Sequence, residues 1–161
     1  MPRRLLRDGA IVVDEWRMTG DGAVADGHAL LLTSAEFRAE PDRRLSRGGA
    51  LGVILLPADD EQELVPYLSR LELVAAEFPT PSEGRGYTQG RLLRERWGFA
   101  GELRARGAVR RDHVFLLARC GFNSFELPES DLEGGAAALR TFSAAYQASD
   151  DRGLPSALRH R

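Results

Sequence analysis

The sequence predicts an α/β fold, with four consecutive strand–helix units that form a parallel, half-barrel-like sheet behind a small β-rich N-terminal part. Residues 78–127 alternate between strand and helix patterns with almost no residues to spare between them. Such short connections are typical of neighbouring parallel strands with helices on one face. Residues 51–56 form a continuous apolar run, as in a parallel strand buried on both faces. A small open sheet of the same units is the alternative.

The first 48 residues carry the signals of a β-rich appendage. Asp8 and Gly9 lie between residues 4–7 and 10–13, which predicts a β-hairpin with a type I′ turn. Residues 29–32 form a short apolar strand. Ser34 is placed to cap a brief helix at residues 35–40, which Pro41 ends.

From residue 49 to residue 148, strands and helices alternate regularly. After the strand at 51–56, a helix opens at Asp59 with Gln62 in the capping-box position, and Pro66 must kink or restart it. The segments that follow are predicted as a strand at 72–78, a helix at 88–97, a strand at 102–106, a helix at 112–120, a strand at 124–127 and a helix at 131–146. Residues 149–161 are polar and are expected to be a frayed tail of a single-domain protein.

Composition excludes several classes of function. The net charge of −2 argues against electrostatic capture of nucleic acid. All 22 basic residues are arginine, so Schiff-base chemistry and a lysine base are excluded. Cys120 is the single cysteine, and His28, His113 and His160 lack metal-ligand spacing, so we expect no metal and no cofactor. No apolar run suits a signal peptide or a membrane helix, and we expect a cytoplasmic protein without membrane contact.

Charged residues share one face of the later strands. Because side chains alternate along a strand, we expect these groups to converge on the helix-free face: Glu77, Arg104, Arg106 and Glu126. Ligands bind near the carboxyl ends of parallel strands. One interpretation is a salt-bridge ladder that keeps an open face soluble or contacts a partner subunit. The other is a site in which Arg104 and Arg106 hold a small anion while Glu77 or Glu126 acts as the catalytic acid or base.

A glycine-rich turn at residues 84–88 is a second candidate site. It follows a strand, and Thr88 is placed to cap the next helix. The free backbone N–H groups near Gly86, together with Arg85, could bind a phosphate, sulfate or carboxylate. The alternative is a tight turn that needs glycine for a positive φ. In the next helix, the predicted solvated face consists of Arg91, Arg94, Glu95 and Arg96, and the alternative is an arginine-rich helix that contacts an acidic protein.

Several blocks of sequence together resemble a bacterial family known as domain of unknown function 934. The blocks are Phe78-Pro79, Gly84-Arg85-Gly86, the run from Leu92 to Arg96, the run from Gly101 to Ala105, and Arg119-Cys120-Gly121-Phe122. The sequence departs from the family pattern at Pro81, Glu83, Thr88, His113 and Asn123. Members of this family are typically encoded beside a sirohaem-dependent sulfite or nitrite reductase, so the resemblance implies a link to assimilatory sulfite reduction.

Three hypotheses about function follow. The first is a non-redox accessory protein that docks on the reductase or its electron donor through an arginine-bearing surface. The second is a small half-barrel enzyme for an anionic metabolite, which predicts a cleft that joins the Arg85 turn to the strand ends. The third is a scaffold whose open face is completed by homodimerisation.

Overall fold

A computed structural model describes residues 1–147 of the chain; the predicted tail at 149–161 lies outside them. The strands are β1 (Arg4–Arg7), β2 (Ala10–Val13), β3 (Arg17–Met18), β4 (Leu30–Thr33), β5 (Leu51–Leu55), β6 (Leu73–Phe78), β7 (Glu102–Gly107) and β8 (Ser124–Phe125). The α-helices are α1 (Ser34–Ala39), α2 (Pro41–Ser46), α3 (Arg85–Glu95), α4 (Val114–Arg119) and α5 (Leu132–Gln147). Short 3-10 helices cover Thr19–Asp21, Glu61–Arg70, Arg111–His113 and Glu129–Asp131.

All eight strands belong to one strongly curled, open sheet, in the order β2-β1-β8-β7-β6-β5-β4-β3. Strands β3 to β8 are parallel to one another, and β1 is antiparallel to both β2 and β8. The α/β class, the parallel half-barrel sheet and the N-terminal strands are therefore confirmed. The N-terminal strands extend this same sheet at both of its edges.

The predicted type I′ hairpin is also confirmed. Asp8 and Gly9 have φ values of 51° and 81°, which is the left-handed region that this turn requires at both positions. The hairpin places Arg7 opposite Ala10 and Arg4 opposite Val13.

A short connection joins the two edges of the sheet. Strand β2 lies at one edge and β3 at the other, yet only Asp14, Glu15 and Trp16 separate them in sequence. Four extended peptide steps span at most about 14 Å, so the curled sheet must bring its two edges close together. We call residues 14–18 the strap.

The helices cover one face of the sheet and enclose the main core. Their apolar side chains pack against the strand residues that face the helices. Examples are Phe37 of α1, Leu93 of α3 and Leu117 of α4. Phe78 and Phe122 lie at the centre, with ring centroids 6.1 Å apart. This large shared core explains why the strand–helix units fold as one body.

The opposite face, which we call the inner face, is also buried. Near β4, β5 and β6 it is apolar, with a second cluster of Leu31, Ile54, Leu73 and Ala75. Trp16 and Met18 of the strap pack against that cluster. The strap therefore covers a face that the sequence predicts to be open.

Three helix starts differ from the prediction. Thr33, and not Ser34, caps α1, since its side chain accepts a hydrogen bond from the backbone N–H of Glu36. Asp60, and not Asp59, caps the next segment, which is a 3-10 helix that contains Pro66. Helix α3 begins at Arg85, so that the residue predicted as its cap lies inside it.

Candidate functional site

The inner face carries a cluster of charged side chains beside its apolar half. Strand register places Arg104 next to Ala75 and Arg106 next to Glu77. Because alternate residues share a face, Glu77, Arg104, Arg106 and Glu126 meet as the sequence predicts, and ion pairs connect them. We call these four residues, together with Asp14 and Glu102, the inner ionic cluster.

Arg104 is the centre of the cluster and is completely buried. Its guanidinium lies 2.9 Å from the Glu102 carboxylate and 3.2 Å from those of Asp14 and Glu126. Burial opposes the charge of Arg104, but the nearby carboxylates, with Glu102 and Asp14 first among them, outweigh burial and raise its pKa. Arg104 therefore stays charged and fully occupied by groups of its own chain.

Arg106 lies nearer the carboxyl ends of the strands and keeps some contact with solvent. Its Nε is 2.8 Å from Glu77 and 3.7 Å from Glu126, and one terminal nitrogen is 3.5 Å from the sulfur of Met18. The side chains of Arg106, Glu77 and Glu126 are 16%, 25% and 15% exposed. These three groups form the part of the inner ionic cluster near the carboxyl ends of the strands that is partly exposed to solvent.

Two arginines of β1 and its N-terminal flank complete the cluster at its outer margin. Arg3 donates to the Asp14 carboxylate through Nε at 3.0 Å and through a terminal nitrogen at 2.6 Å. Arg7 lies 3.8 Å from Glu102. Arg3 and Arg7, which are about half exposed, thus supply the outer partners of Asp14 and Glu102.

This arrangement differs from an anion-binding site. An arginine that binds a ligand must offer donors that its own protein leaves free, whereas Arg104 is surrounded by three carboxylates. The geometry is that of the salt-bridge ladder, folded into the interior of a curled sheet. The roles predicted for Glu77 and Glu126 as catalytic groups, and for Arg104 and Arg106 as anion holders, stay predictions.

The turn before α3 lies on the helix side of the sheet. The backbone N–H of Arg85 already donates to the Glu83 carboxylate at 3.0 Å. A methyl group at Gly86 would overlap the Phe78 ring, so this glycine permits close packing. Gly84 and Gly86 are not among the residues with positive φ, so the interpretation as a tight turn that needs glycine for a positive φ is wrong.

Thr88 is an exposed residue of α3 and does not cap the helix, since α3 begins three residues earlier. Phe78 faces the helices, whereas Glu77 faces the inner cluster. The Arg85 turn and the strand-end carboxylates therefore lie on opposite faces of the sheet. Anion binding by Arg85, Gly86 and Thr88 stays a prediction, but it would use a site separate from the inner cluster.

Arg94 has a structural role that the sequence analysis missed. Predicted as part of a solvated face, it instead donates to the carbonyls of Gly121, Phe99 and Gly101 at 2.9, 2.8 and 2.7 Å. It also donates to the side-chain oxygen of Asn123 at 3.1 Å. Burial lowers the pKa of Arg94 to about 10, still far above neutral pH.

Asn123 connects this arginine to the first hairpin. Its side-chain oxygen accepts from the backbone N–H of Leu103 at 2.8 Å, and its side-chain nitrogen donates to Asp8 at 3.1 Å. Asn123 is therefore a structural residue.

Asp14 and Glu102 are the cluster members that the sequence analysis did not include. A type I′ turn at Asp8-Gly9 fixes the hairpin register, and the same register sets Asp14 opposite Arg3. The pairing of Asp14 with Arg3 could therefore have been predicted from the sequence. The contact between Asp14 and Arg104 could not, because it depends on how far the sheet curls.

No metal centre is evident among residues 1–147, where no group of three or more His, Cys, Asp or Glu side chains has a suitable arrangement. Within the same residues, no helix combines the length and hydrophobicity needed to cross a bilayer. A cavity of about 460 Å³ lies beside the strap and is lined by residues 14–17 and 27–29. None of the predicted site residues lines that cavity.

The fold and the site together define a curled α/β sheet protein whose inner face is filled by its own side chains. The family model for a bacterial protein of unknown function, DUF934, matches residues 52–157. The match covers well over half of the chain, and the chain belongs to this family. Comparison with curated proteins finds no significant match.

Proposed function

We propose that the protein is an accessory protein of assimilatory sulfite reduction, which acts with a sirohaem-dependent sulfite or nitrite reductase by binding it rather than by catalysis. The pathway comes from the gene association that the family resemblance implies. One structural observation supports binding over catalysis: the arginines of the inner face are bound by carboxylates of the same chain, whereas several arginines on the helices are exposed.

The test is genetic and biochemical. A deletion strain should grow normally on cysteine and poorly on sulfate as the sole sulfur source, and the wild-type gene should restore growth. The purified chain should associate with the purified reductase or its electron donor at low salt. Normal growth on sulfate, together with no association at 50 mM salt, would remove the proposal.

A second candidate is a small enzyme that acts on an anionic metabolite at the carboxyl ends of the strands. Its support is the residual exposure of Glu77, Arg106 and Glu126, which meet at one end of the sheet. In this reaction Arg106 would hold the anion while Glu77 or Glu126 transfers a proton. Glu77→Gln should then abolish complementation of the deletion strain while leaving the melting temperature nearly unchanged. Full complementation by this variant would argue for the binding role.

A further inference from the structure

The exposed charges on the helix side of the sheet are segregated by position in the chain. Residues 84–121 expose six arginines and only two acidic residues: Arg85, Arg91, Arg96, Arg110, Arg111, Arg119, Glu95 and Asp112. Residues 34–72 show the opposite bias, with five exposed acidic residues and three arginines: Glu40, Asp42, Asp60, Glu63, Glu72, Arg38, Arg43 and Arg70. A chain with a net charge of −2 thus has a locally basic surface.

Ion pairing sharpens this difference. In residues 34–72, which we call the acidic side, Arg38 is paired with Glu63 at 2.8 Å and Arg43 with Glu40 at 3.0 Å. On the basic side, four arginines make no ion pair with a carboxylate of residues 1–147: Arg85, Arg91, Arg96 and Arg119. We call these four the basic helical face.

Two of these arginines are held in place against aromatic rings. The Arg96 guanidinium carbon lies 4.8 Å from the centroid of Trp97, and that of Arg119 lies 6.0 Å from the centroid of Phe115. Leu116, between Phe115 and Arg119 on α4, is 49% exposed. Ordered arginines beside an exposed apolar side chain are the composition typical of protein–protein interfaces.

A hydrogen bond connects the C-terminal ends of α3 and α4. Arg94 of α3 donates to the carbonyl of Gly121, directly after α4, so the ends of the two helices are bound together. Arg91 lies one turn before Arg94, and Arg119 lies two residues before Gly121. Arg91 and Arg119 therefore lie close in sequence to the two residues that this hydrogen bond joins.

We infer that the basic helical face is the docking surface of this protein and that its partner is an acidic protein surface, rich in Asp and Glu side chains, on the reductase complex. This inference rests on the proposed function for the identity of the complex. The chemistry of the partner follows from charge complementarity, because unpaired guanidinium groups favour carboxylates. Leu116 supplies the apolar contact at the centre of the interface.

The test compares two matched charge reversals in the full-length chain. The first variant combines Arg91→Glu with Arg119→Glu on the basic helical face. The control combines Arg43→Glu with Arg70→Glu, which changes the net charge equally on the acidic side. Unchanged circular dichroism and melting temperature establish that each variant is folded.

Binding to the purified reductase complex is measured at 50 mM and 300 mM salt. We expect wild-type affinity to fall by about tenfold or more over this range, because interactions between exposed charges are screened. The first variant should lose at least about tenfold in affinity at low salt, and the control should change about twofold or less. Equal losses in both variants, or no loss in either, would overturn the inference.

A second probe separates this inference from the proposed function. Short poly-L-glutamate is titrated into the isotope-labelled chain, and amide chemical shifts are followed by NMR. Salt-sensitive chemical-shift changes in α3 and α4 would support a face that binds acidic chains, even if the reductase itself does not bind. The absence of such changes would overturn the inference. A molecular mass that rises with concentration and falls with salt would instead identify a second copy as the occupant and overturn the assigned partner.

Discussion

The Asp14 carboxylate lies 3.2 Å from the Arg104 guanidinium across a sequence separation of 90 residues, and both side chains are fully buried. This contact ties the strap to the middle of β7. Together with the packing of Trp16 and Met18, it holds the strap against the inner face of a sheet that is open between β2 and β3. Mutation of this contact therefore tests the fold directly.

Removal of Asp14 should destabilise the protein strongly. Asp14→Ala removes one of the three carboxylates around the buried guanidinium of Arg104, at a cost of about 1.5–3 kcal/mol in the free energy of unfolding. Urea unfolding followed by tryptophan fluorescence measures this cost. Arg38→Ala is the control, since it breaks an exposed ion pair with Glu63 and should have a much smaller effect. Similar effects of both variants would contradict the burial of the Asp14–Arg104 pair.

Alanine at Gly86 or Gly90 should destabilise the protein although both residues lie inside α3. Alanine normally favours a helix over glycine by about 1 kcal/mol. Here the added methyl groups would overlap the rings of Phe78 and Phe122, and overpacking of this kind costs about 1–3 kcal/mol. Thermal unfolding provides the measurement.

Gly84→Ala serves as the matched control for these two variants, because nothing lies within 4 Å of an added Cβ at that position. Its melting temperature should stay close to that of the wild type. Phe78→Leu combined with Gly86→Ala should recover part of the loss, since the smaller side chain makes room. A stabilising Gly86→Ala would show that the helix lies farther from Phe78 than described.

Replacement of Arg94 should be far more costly than replacement of Arg91, one turn earlier on the same helix. Arg94→Met leaves buried carbonyl oxygens without donors, at a cost of about 3 kcal/mol or more. Arg91 is exposed and outside the described ion pairs, so Arg91→Met should change stability by less than about 0.5 kcal/mol. Urea midpoints of the two variants give the comparison. Equal urea midpoints for the two variants would indicate that Arg94 lies on a solvated face, as the sequence predicts.

The capping box of α1 should make the protein sensitive to acid. The pKa of Glu36 is lowered from 4.5, first by the hydrogen bond from Thr19 and then, against the opposing effect of burial, by hydrogen bonds from Thr33. A carboxyl group whose folded-state pKa is lowered stabilises the protein above its unfolded-state pKa, and that stabilisation is lost as the pH falls through the folded-state pKa. The stability of Glu36→Gln should therefore fall less than that of the wild type between pH 7 and pH 3.

Urea midpoints at the two pH values measure this effect. Thr19→Val removes the largest cause of the lowered pKa, namely the 2.6 Å hydrogen bond to Glu36, so its acid sensitivity should be intermediate. Identical pH dependence in all three proteins would show that the capping box does not titrate with folding.

The sequence alone determined the α/β class, the parallel strand–helix units and the face on which the charges of β6 and β7 lie. These features depend on local spacing: apolar runs, turn residues such as Asp8-Gly9, and the alternation that puts Glu77 and Arg106 on one face. The start of α3 was predicted wrongly: Thr88 has the chemistry of a helix cap, but the helix begins at Arg85 and includes Gly86, which packs against Phe78.

Only the tertiary structure decided what the inner face is. Whether Arg104 meets a ligand or Asp14 depends on the curl of the whole sheet, which brings β2 and β3 within the reach of a three-residue connection. Arg94 likewise has an ordinary surface-helix position in the sequence, and its carbonyl partners come from separate loops that meet only after folding. Contacts of this kind depend on many residues that are far apart in the sequence, so no local sequence pattern predicts them.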